Sequence, residues 1–255
     1  MIKAVFLDFD QTVFSHKQRK VPESAVKAIN QAKANGVKIF LATGRHPLEI
    51  YSINKENIAY DGYVCLNGQL NVDQNNKLVS GYPLDSEASK NIADMYTTNH
   101  FPIVLGEKDR VILNHMEPIV KEAQTELSWP HPIEAYDGDT IYMASCFLNK
   151  DDQEYFRNLY SSCKVVQWHP LGIDILSKEG GKDIGVSDFM KLHNFTKDEI
   201  ITVGDSGNDL DMMKFSNISI AMGNGKKEIK EAASYVTDDI DADGLYNAFK
   251  HYNLI

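Results

Sequence analysis

The sequence has few cysteines, no long apolar segment and no basic leader. Its three cysteines, Cys65, Cys146 and Cys163, are widely spaced among apolar or small residues. This pattern argues against a disulfide framework or a zinc site and predicts free, mostly buried thiols. No apolar run approaches the ~20 residues that a membrane span requires, and the first residues lack the basic-then-apolar pattern of a signal peptide. The sequence therefore predicts a cytoplasmic protein.

Positive charge is also scarce. Lysine and arginine number 26 against 36 acidic residues, which gives a formal net charge of -10. Such a chain repels a nucleic-acid backbone and an anionic membrane surface, so neither is an expected partner. A small anion could still bind, but only through a local cation or a metal. With 255 residues, 43% of them hydrophobic, and no internal repeat, the chain suits one large domain or two modest ones, and we favour two.

Both ends of the chain alternate between predicted strands and helices. The apolar run from Ile2 to Leu7 predicts a buried strand, "VPESAVKAINQAKANG" a helix and "VKIFLAT" a second strand. The same alternation returns in "EIITVGD", "NDLDMMKF", "ISIAMG" and "KKEIKEAASY". Strand-helix-strand units of this kind build a parallel sheet through right-handed crossovers. The helix should bury one face, consisting of Ala25, Ala28, Ile29 and Ala32.

The middle of the chain has a different pattern, with helices between hairpin-like strand pairs such as "PIVLGEKDRVILN". We therefore predict an α/β fold in which a Rossmann-like parallel-sheet core carries an inserted α+β domain. Residues 1–81 and 179–255 should form the core, and residues 82–178 the insert.

Several polar residues follow the predicted strands of the core. Asp8 and Asp10 end the first strand and point the same way, because side chains alternate along an extended chain. Thr43 and Gly44 end the second strand, and "GDSGND" follows a later one. Lys182 opens the helix that leads into that later strand. Ligands of open α/β sheets bind outside the carboxyl ends of the strands, so we expect these groups to share one site.

Carboxylates packed this closely raise one another's pKa unless a cation joins them. A hard divalent ion such as Mg²⁺, which uses one or two carboxylates plus water and phosphate oxygens, satisfies that requirement. With Lys182 and the Thr43-Gly44 turn, the site becomes a phosphate pocket. One carboxylate could then attack phosphorus, and a second could act as general acid and base.

These segments resemble a known family. "DFDQT", "ATGR", the lysine of "GGKDIGVSDF" and "GDSGNDLDMM" are similar, in order, to the four motifs of the haloacid dehalogenase (HAD) superfamily of phosphatases. "VCLNGQ" and "IAMGNGKKEIKEAASYVTDDIDADGL" resemble the Cof-like subfamily, whose α+β cap of class IIB is inserted between the second and third motifs. The resemblance covers the whole chain apart from the details of the cap.

The resemblance implies a Mg²⁺-dependent phosphatase that acts on small phosphorylated metabolites, often sugar phosphates. Asp8 would be the nucleophile, forming an aspartyl phosphate, and Asp10 the general acid and base. The implied phosphate-binding residues are Phe9, Thr43, Gly44, Lys182 and Asn208. The implied metal ligands are Asp8, the backbone carbonyl of Asp10, and Asp205, with Asp209 in support.

Some residues fit this pattern less directly. Gln11 stands where many family members have glycine, which would suit an unusual backbone angle. Arg45 could contact substrate or pair with a surface acid. The run Asp239, Asp241, Asp243 matches the first half of a calcium-binding EF-hand loop, but the expected closing glutamate falls on Lys250, so we reject a calcium site there.

Two other functions stay open at this point. A phosphomutase could use the same core and cap and transfer the phosphoryl group to a second hydroxyl. A non-enzymatic phospho-acceptor, like a response-regulator receiver domain, also places acids and a lysine around Mg²⁺. The large insert and the acid/base candidate Asp10 argue against the phospho-acceptor.

Overall fold

The computed structural model describes residues 1–56, 58–124 and 131–255. Its internal contacts divide the chain into two units, the first formed by Met1–Ser80 with Gly181–Ile255 and the second by Gly81–Gly180. Within the described ranges, every helix is too short or too polar to cross a membrane.

The first unit contains a large sheet with β1 at its centre. Its strands are β1 (Ala4–Leu7), β2 (Lys38–Ala42), β3 (Gly62–Cys65), β4 (Leu70–Asp73), β5 (Leu78–Gly81), β11 (Ile200–Gly204), β12 (Ile218–Ala221) and β13 (Tyr235–Val236). Their order in the sheet is β13-β12-β11-β1-β2-β3-β4-β5. β1 runs parallel to both neighbours, with Ala4 opposite Lys38 and Ile200, whereas β4 runs antiparallel to β3. The predicted parallel core is confirmed.

The first unit also contains helices. They are α1 (Glu23–Ala34), α2 (Pro47–Ile53), α6 (Lys182–His193), α7 (Leu210–Phe215), α8 (Lys227–Ala232) and α9 (Gly244–His251). The buried face of α1 is the predicted one, Ala25, Ala28, Ile29 and Ala32. Because β1 and β11 are buried along their whole length, they read as continuous apolar runs and not as alternating patterns.

Aromatic packing sets the position of α6. The Phe6 and Phe40 rings stack at 4.8 Å, and Phe40 meets Phe189 of α6 at 4.9 Å. Gly62 makes room for this contact, since a Cβ there would lie 2.6 Å from the Phe189 ring. This packing holds α6 against the sheet and so places Lys182, its first residue.

The second unit has its own sheet and core. Its strands are β6 (Ile103–Gly106), β7 (Val111–Leu113), β8 (Met143–Phe147), β9 (Lys164–His169) and β10 (Gly172–Leu176), in the order β7-β6-β8-β10-β9. All four pairings are antiparallel. Its helices are α3 (Ser86–Thr97), α4 (Pro118–Gln124) and α5 (Lys150–Leu159). Fully buried Ile92, Ile103, Phe156 and Ile173 belong to its core.

The segment between β2 and the second unit gave no clear pattern in the sequence. It forms α2, β3, β4 and β5, which extend the core sheet on one side. These strands have four residues each, and a local turn with left-handed Leu66 (φ 50°) and Asn67 (φ 55°) joins β3 to β4. These strands lack the continuous apolar run that marks β1, so pairing within the sheet, of β3 with β2 and of β4 with β3, decides their conformation.

Candidate active site

Asp8 and Lys182 form the centre of the site. Asp8 follows β1 directly and is 4% exposed, and Lys182 begins α6 and is 2% exposed. The Lys182 Nζ donates to Asp8 Oδ1 at 2.8 Å and to Asp209 Oδ1 at 2.7 Å. A single ammonium therefore joins carboxylates from two separate loops of the same sheet edge.

Asp209 belongs to the loop that follows β11, and its side chain is fully buried. Its Oδ2 accepts hydrogen bonds from the backbone N–H groups of Asp205 and Ser206, both at 3.1 Å. Gly204 allows this arrangement, because a Cβ there would lie 2.5 Å from the Asp209 Cγ. The Asp209 side chain thus shapes the loop that presents half-buried Asp205.

Three carboxylates of this site lie close enough to share one cation. Oxygen atoms of Asp8, Asp205 and Asp209 all lie within 4.8 Å of one another. Burial, and next the charge of Asp209, raises the pKa of Asp8 well above its ordinary value and that of Asp205 to about 7. Burial alone would lower the pKa of Lys182, but Asp209 and Asp8 outweigh it and raise that pKa, which keeps the ammonium charged.

This donor set fits a hard divalent cation. Three carboxylates face one ammonium, so the group carries excess negative charge in a buried place, and all its ligand atoms are oxygens. A second group of acids, Glu107, Asp137 and Asp139, lies in the other unit. There the guanidinium of Arg110 contacts all three acids and already supplies the opposite charge.

Asp10 has a different environment from Asp8. Arg45 binds its carboxylate at two points, Nε to Oδ2 and Nη2 to Oδ1, both at 2.7 Å, and His16 Nε2 lies 2.6 Å from Oδ1. Burial alone would raise the pKa of Asp10. The charge of Arg45 and the hydrogen bond from His16 outweigh burial and hold the pKa of Asp10 well below its usual range. Asp10 is therefore ionised in this arrangement.

Arg45 thus pairs with Asp10 and not with a surface acid. It is 8% exposed, and its guanidinium lies 5.9 Å from the Phe9 ring centroid. The sequence predicted either a substrate contact or a surface pair for Arg45 and indicated neither its burial nor its pairing with Asp10. No motif in the sequence marked His16.

The backbone angle at Gln11 is the one expected where many family members have glycine. Its φ is 60°, in the left-handed region that costs a residue with a side chain about 1–2 kcal/mol and glycine nothing. In return, Gln11 Oε1 accepts a hydrogen bond from the His16 backbone N–H at 2.9 Å. The backbone angle is the one that glycine favours, and the side chain closes the turn that follows.

The remaining predicted residues surround the same edge. Thr43 is buried, and its Oγ1 accepts from the Arg45 N–H at 3.1 Å. The position of a Cβ on Gly44 would be 3.3 Å from Asn67 Oδ1, and that oxygen accepts from Asn208 Nδ2 at 3.1 Å. Asn67 lies in the "VCLNGQ" segment that the sequence analysis noted without giving it a role. Buried Phe9 accepts from the N–H groups of the turn at 12–14 through its carbonyl.

The structure therefore brings all the predicted site residues to one end of the core sheet. They come from the loops after β1, β2 and β11 and from the start of α6. The loop after β3 adds Asn67, which the motifs had not singled out. In the run of Asp239, Asp241 and Asp243, the Asp241 carboxylate already has hydrogen-bond partners. It accepts from Ser15 and Gln18 at 2.7 Å each.

Comparison with known proteins identifies the family of the chain. The model of the haloacid dehalogenase-like hydrolase family matches residues 5–249. "Putative phosphatase YkrA" of Bacillus subtilis is 27% identical, covering 99% of this chain and 98% of its own. The 5-amino-6-(5-phospho-D-ribitylamino)uracil phosphatase YwtE of the same species is 26% identical, covering 96% of each chain.

A solved structure shows the same likeness in three dimensions. The HAD subclass IIB sugar phosphatase BT4131 superimposes with a TM-score of 0.86 at 26% identity, covering 99% of this chain and 100% of the other. Family model, relatives and structure agree on one class of enzyme. The chain therefore belongs to the haloacid dehalogenase-like hydrolases and is a Cof-like phosphomonoester hydrolase.

Proposed function

We propose that this enzyme is a Mg²⁺-dependent phosphatase that hydrolyses small phosphorylated metabolites through an aspartyl phosphate on Asp8. The proposal rests on the different environments of Asp8 and Asp10, which lie two residues apart in the chain. Asp8 lies among carboxylates beside Lys182, whereas Asp10 is bound by Arg45 and His16. Asp8, held ionised by Lys182 and a bound cation, would attack, and Asp10, which is ionised in this arrangement, would first act as the base toward water.

The first step is attack by an Asp8 oxygen on phosphorus, which forms the acyl phosphate and breaks the bond to the leaving alkoxide. Lys182, which contacts Asp8 at 2.8 Å, offsets negative charge on the nucleophile and on the phosphoryl group. The Thr43 hydroxyl and the Asn208 amide would bind phosphoryl oxygens. The backbone N–H groups of Phe9 and Gly44 would donate to the same oxygens.

Asp10 would transfer the protons of both steps. In its ionised state it can take a proton from the water that hydrolyses the acyl phosphate. The same carboxyl, once protonated, can deliver that proton to the leaving group of the next substrate, so the proton balance closes over a cycle. Its contacts with Arg45 keep the carboxylate at the sheet edge between these steps.

Mg²⁺ would be held by the carboxylates of Asp8 and Asp205 and by the Asp10 backbone carbonyl. Asp209 supports this set through its hydrogen bonds to the Asp205 loop and to Lys182. When bound, the ion would neutralise carboxylate and phosphate charge and so favour approach of the anionic substrate. The close oxygens of the cluster support this assignment.

A sugar phosphate is the substrate class we propose. BT4131 is named a sugar phosphatase, and the substrate in the name of YwtE carries a phosphorylated ribityl chain. We further propose that residues 82–178 form the class IIB cap and that residues 1–81 with 179–255 form the hydrolase core. The buried free thiols Cys65, Cys146 and Cys163 favour action in the reducing cytoplasm.

The test is a screen of hexose, pentose and polyol phosphates for released phosphate, with Mg²⁺ and with EDTA. We expect release that needs the metal and that Asp8→Asn abolishes, while Asp198→Asn, at an exposed position of the same unit, leaves it unchanged. Full activity of Asp8→Asn would overturn the nucleophile. Conversion of a sugar phosphate to its isomer without free phosphate would identify a phosphomutase instead.

A further inference from the structure

The turn that follows Asp10 is closed by Gln11. The Gln11 backbone N–H donates to the Phe14 carbonyl at 2.8 Å, and the Gln11 side chain accepts from the His16 N–H at 2.9 Å. A glycine at this position could make the first of these bonds but not the second. The side chain of Gln11 therefore determines where the backbone of His16 lies.

The His16 ring is also held in place by aromatic packing. It meets the Phe14 ring edge-on at 6.1 Å, and Phe14 stacks on fully buried Phe9 at 5.5 Å. From this position Nε2 reaches Asp10 Oδ1 at 2.6 Å. The ring is a third exposed, so its orientation depends on these contacts and not on enclosure.

The turn is tied to a distant part of the same unit. Asn224 Nδ2 donates to the Gln11 carbonyl at 2.8 Å, and Asn224 Oδ1 accepts from the Ile240 N–H at 2.9 Å. Ser15 Oγ donates to Asp241 Oδ1 at 2.7 Å. These bonds prevent the turn from shifting independently of the sheet, so His16 approaches Asp10 from a defined direction.

Asp10 is consequently held from two sides. Arg45, from the loop after β2, binds both carboxylate oxygens, while His16, from the chain just beyond Asp10, binds Oδ1 alone. Arg45 is buried and contacts the carboxylate from the neighbouring loop. His16 is anchored to the turn itself, so its contact relates the carboxylate to the end of β1, where Asp8 lies.

We propose that His16 is a positioning residue for Asp10, and that Gln11, in place of glycine, is what presents it. This inference rests on the proposed function of Asp10 as general acid and base. The His16 ring contacts Asp10 through Nε2 and would orient the carboxyl that exchanges protons with the leaving group and with water. Gln11 acts one step further away, through the backbone of His16.

The test uses two esters that differ in their need for a proton. A hexose phosphate releases a basic alkoxide that must be protonated, whereas p-nitrophenyl phosphate releases a stable phenolate that leaves without help. In single turnovers with excess enzyme, we expect His16→Leu to slow release of the sugar from the hexose phosphate about tenfold or more and to leave release of p-nitrophenolate within about twofold, because the leaving group departs before the attack of water that Asp10 also assists. His16→Gln retains an Nε2 donor and should recover most of the lost rate.

Gln11→Gly tests the second half of the proposal. It keeps the backbone angle but removes the bond to His16, so it should lower the hexose phosphate rate in the same sense and less than His16→Leu. Combined with His16→Leu, it should add no further loss, since the ring that it positions is gone. His251→Leu, where the native ring stacks on Tyr235 at 4.0 Å, is the matched control and should change neither ester.

The outcomes separate this inference from the proposed function. A wild-type protein that cleaves neither ester would overturn the proposed function. In folded His16→Leu, equal losses in the single-turnover release of both leaving groups, or no loss with either ester, would overturn the positioning role. Thermal unfolding of each variant identifies a loss caused by misfolding, and Gln11→Gly then decides the question in place of His16→Leu.

Discussion

Lys182 and Asp8 form a buried ion pair, with Nζ 2.8 Å from Oδ1, between residues 174 positions apart in the chain. The same ammonium contacts Asp209, so one cation serves two buried carboxylates. Removing one partner of a buried pair leaves the other charge without compensation, which costs far more than removing both. We therefore expect the pair to affect stability as well as the proposed reaction.

Lys182→Met should abolish activity and lower the free energy of unfolding by about 3–5 kcal/mol in metal-free buffer. The double variant Asp8→Asn with Lys182→Met should be more stable than Lys182→Met alone, because one of the uncompensated charges is gone. Lys191→Met, which removes an exposed lysine that pairs with Asp188, should change stability by less than about 1 kcal/mol. Denaturant unfolding measures all three, and a double variant less stable than Lys182→Met would contradict this account.

Binding of Mg²⁺ should raise the unfolding temperature, since the ion would bind a cluster that only the folded chain assembles. At about a hundred times its dissociation constant, a ligand of the folded state adds about 2.7 kcal/mol. We expect Asp205→Asn to remove most of this shift and Asp137→Asn to leave it intact, because Arg110 already contacts Asp137. Thermal scans with Mg²⁺ and with EDTA check this, and the reverse result would place the ion in the second unit.

Gly68 and Gly36 provide a matched pair of substitutions. Both have a φ of +87°, but a Cβ on Gly68 would lie 2.0 Å from the Gly181 carbonyl oxygen, whereas one on Gly36 meets nothing within 4 Å. Gly36→Ala should cost only the backbone strain, about 1–2 kcal/mol. Gly68→Ala should cost about 3 kcal/mol or more and reduce kcat, since Gly181 precedes Lys182. Equal losses of unfolding free energy in the two variants would show that the close approach of Gly68 to Gly181 does not affect stability.

Asp61 should make stability depend on pH. Its carboxylate accepts from the Ile39 N–H at 2.9 Å and pairs with Lys33 and Lys38. Burial alone would raise the pKa of Asp61, but the hydrogen bonds from Lys33 and Ile39 outweigh it and lower that pKa. The stabilisation is therefore present above the ordinary pKa of about 4 and is lost as the pH falls through the folded-state value.

We accordingly expect Asp61→Asn to lower the free energy of unfolding by about 1–2 kcal/mol at pH 7 and by less at pH 3.5. Asp109→Asn, at an exposed pair with Lys108, should have little effect at either pH. Urea titrations at both pH values make the comparison. A difference between wild type and Asp61→Asn that grows on acidification would reverse the sign and refute the assignment.

Much of the fold could be predicted because its signals are local. The buried strands β1, β2 and β11 are continuous apolar runs, and α1 shows its buried face directly in the spacing of its alanines. The positions of Asp8 and Asp205 follow from the same logic, since each comes directly after such a strand. The short strands β3 to β5 carried no comparable signal, and only pairing within the sheet gave them their structure.

The sequence by itself determined which residues end the core strands, and hence that carboxylates, a threonine and a lysine would meet at one sheet edge. Only the tertiary structure decided how the side chains pair there. Arg45 and Asp10 are 35 residues apart, and the left-handed backbone at Gln11 brings His16 onto the same carboxylate. The physical reason is that a buried strand shows directly as an apolar run in the sequence, whereas a side-chain pair depends on one or two backbone angles in a loop.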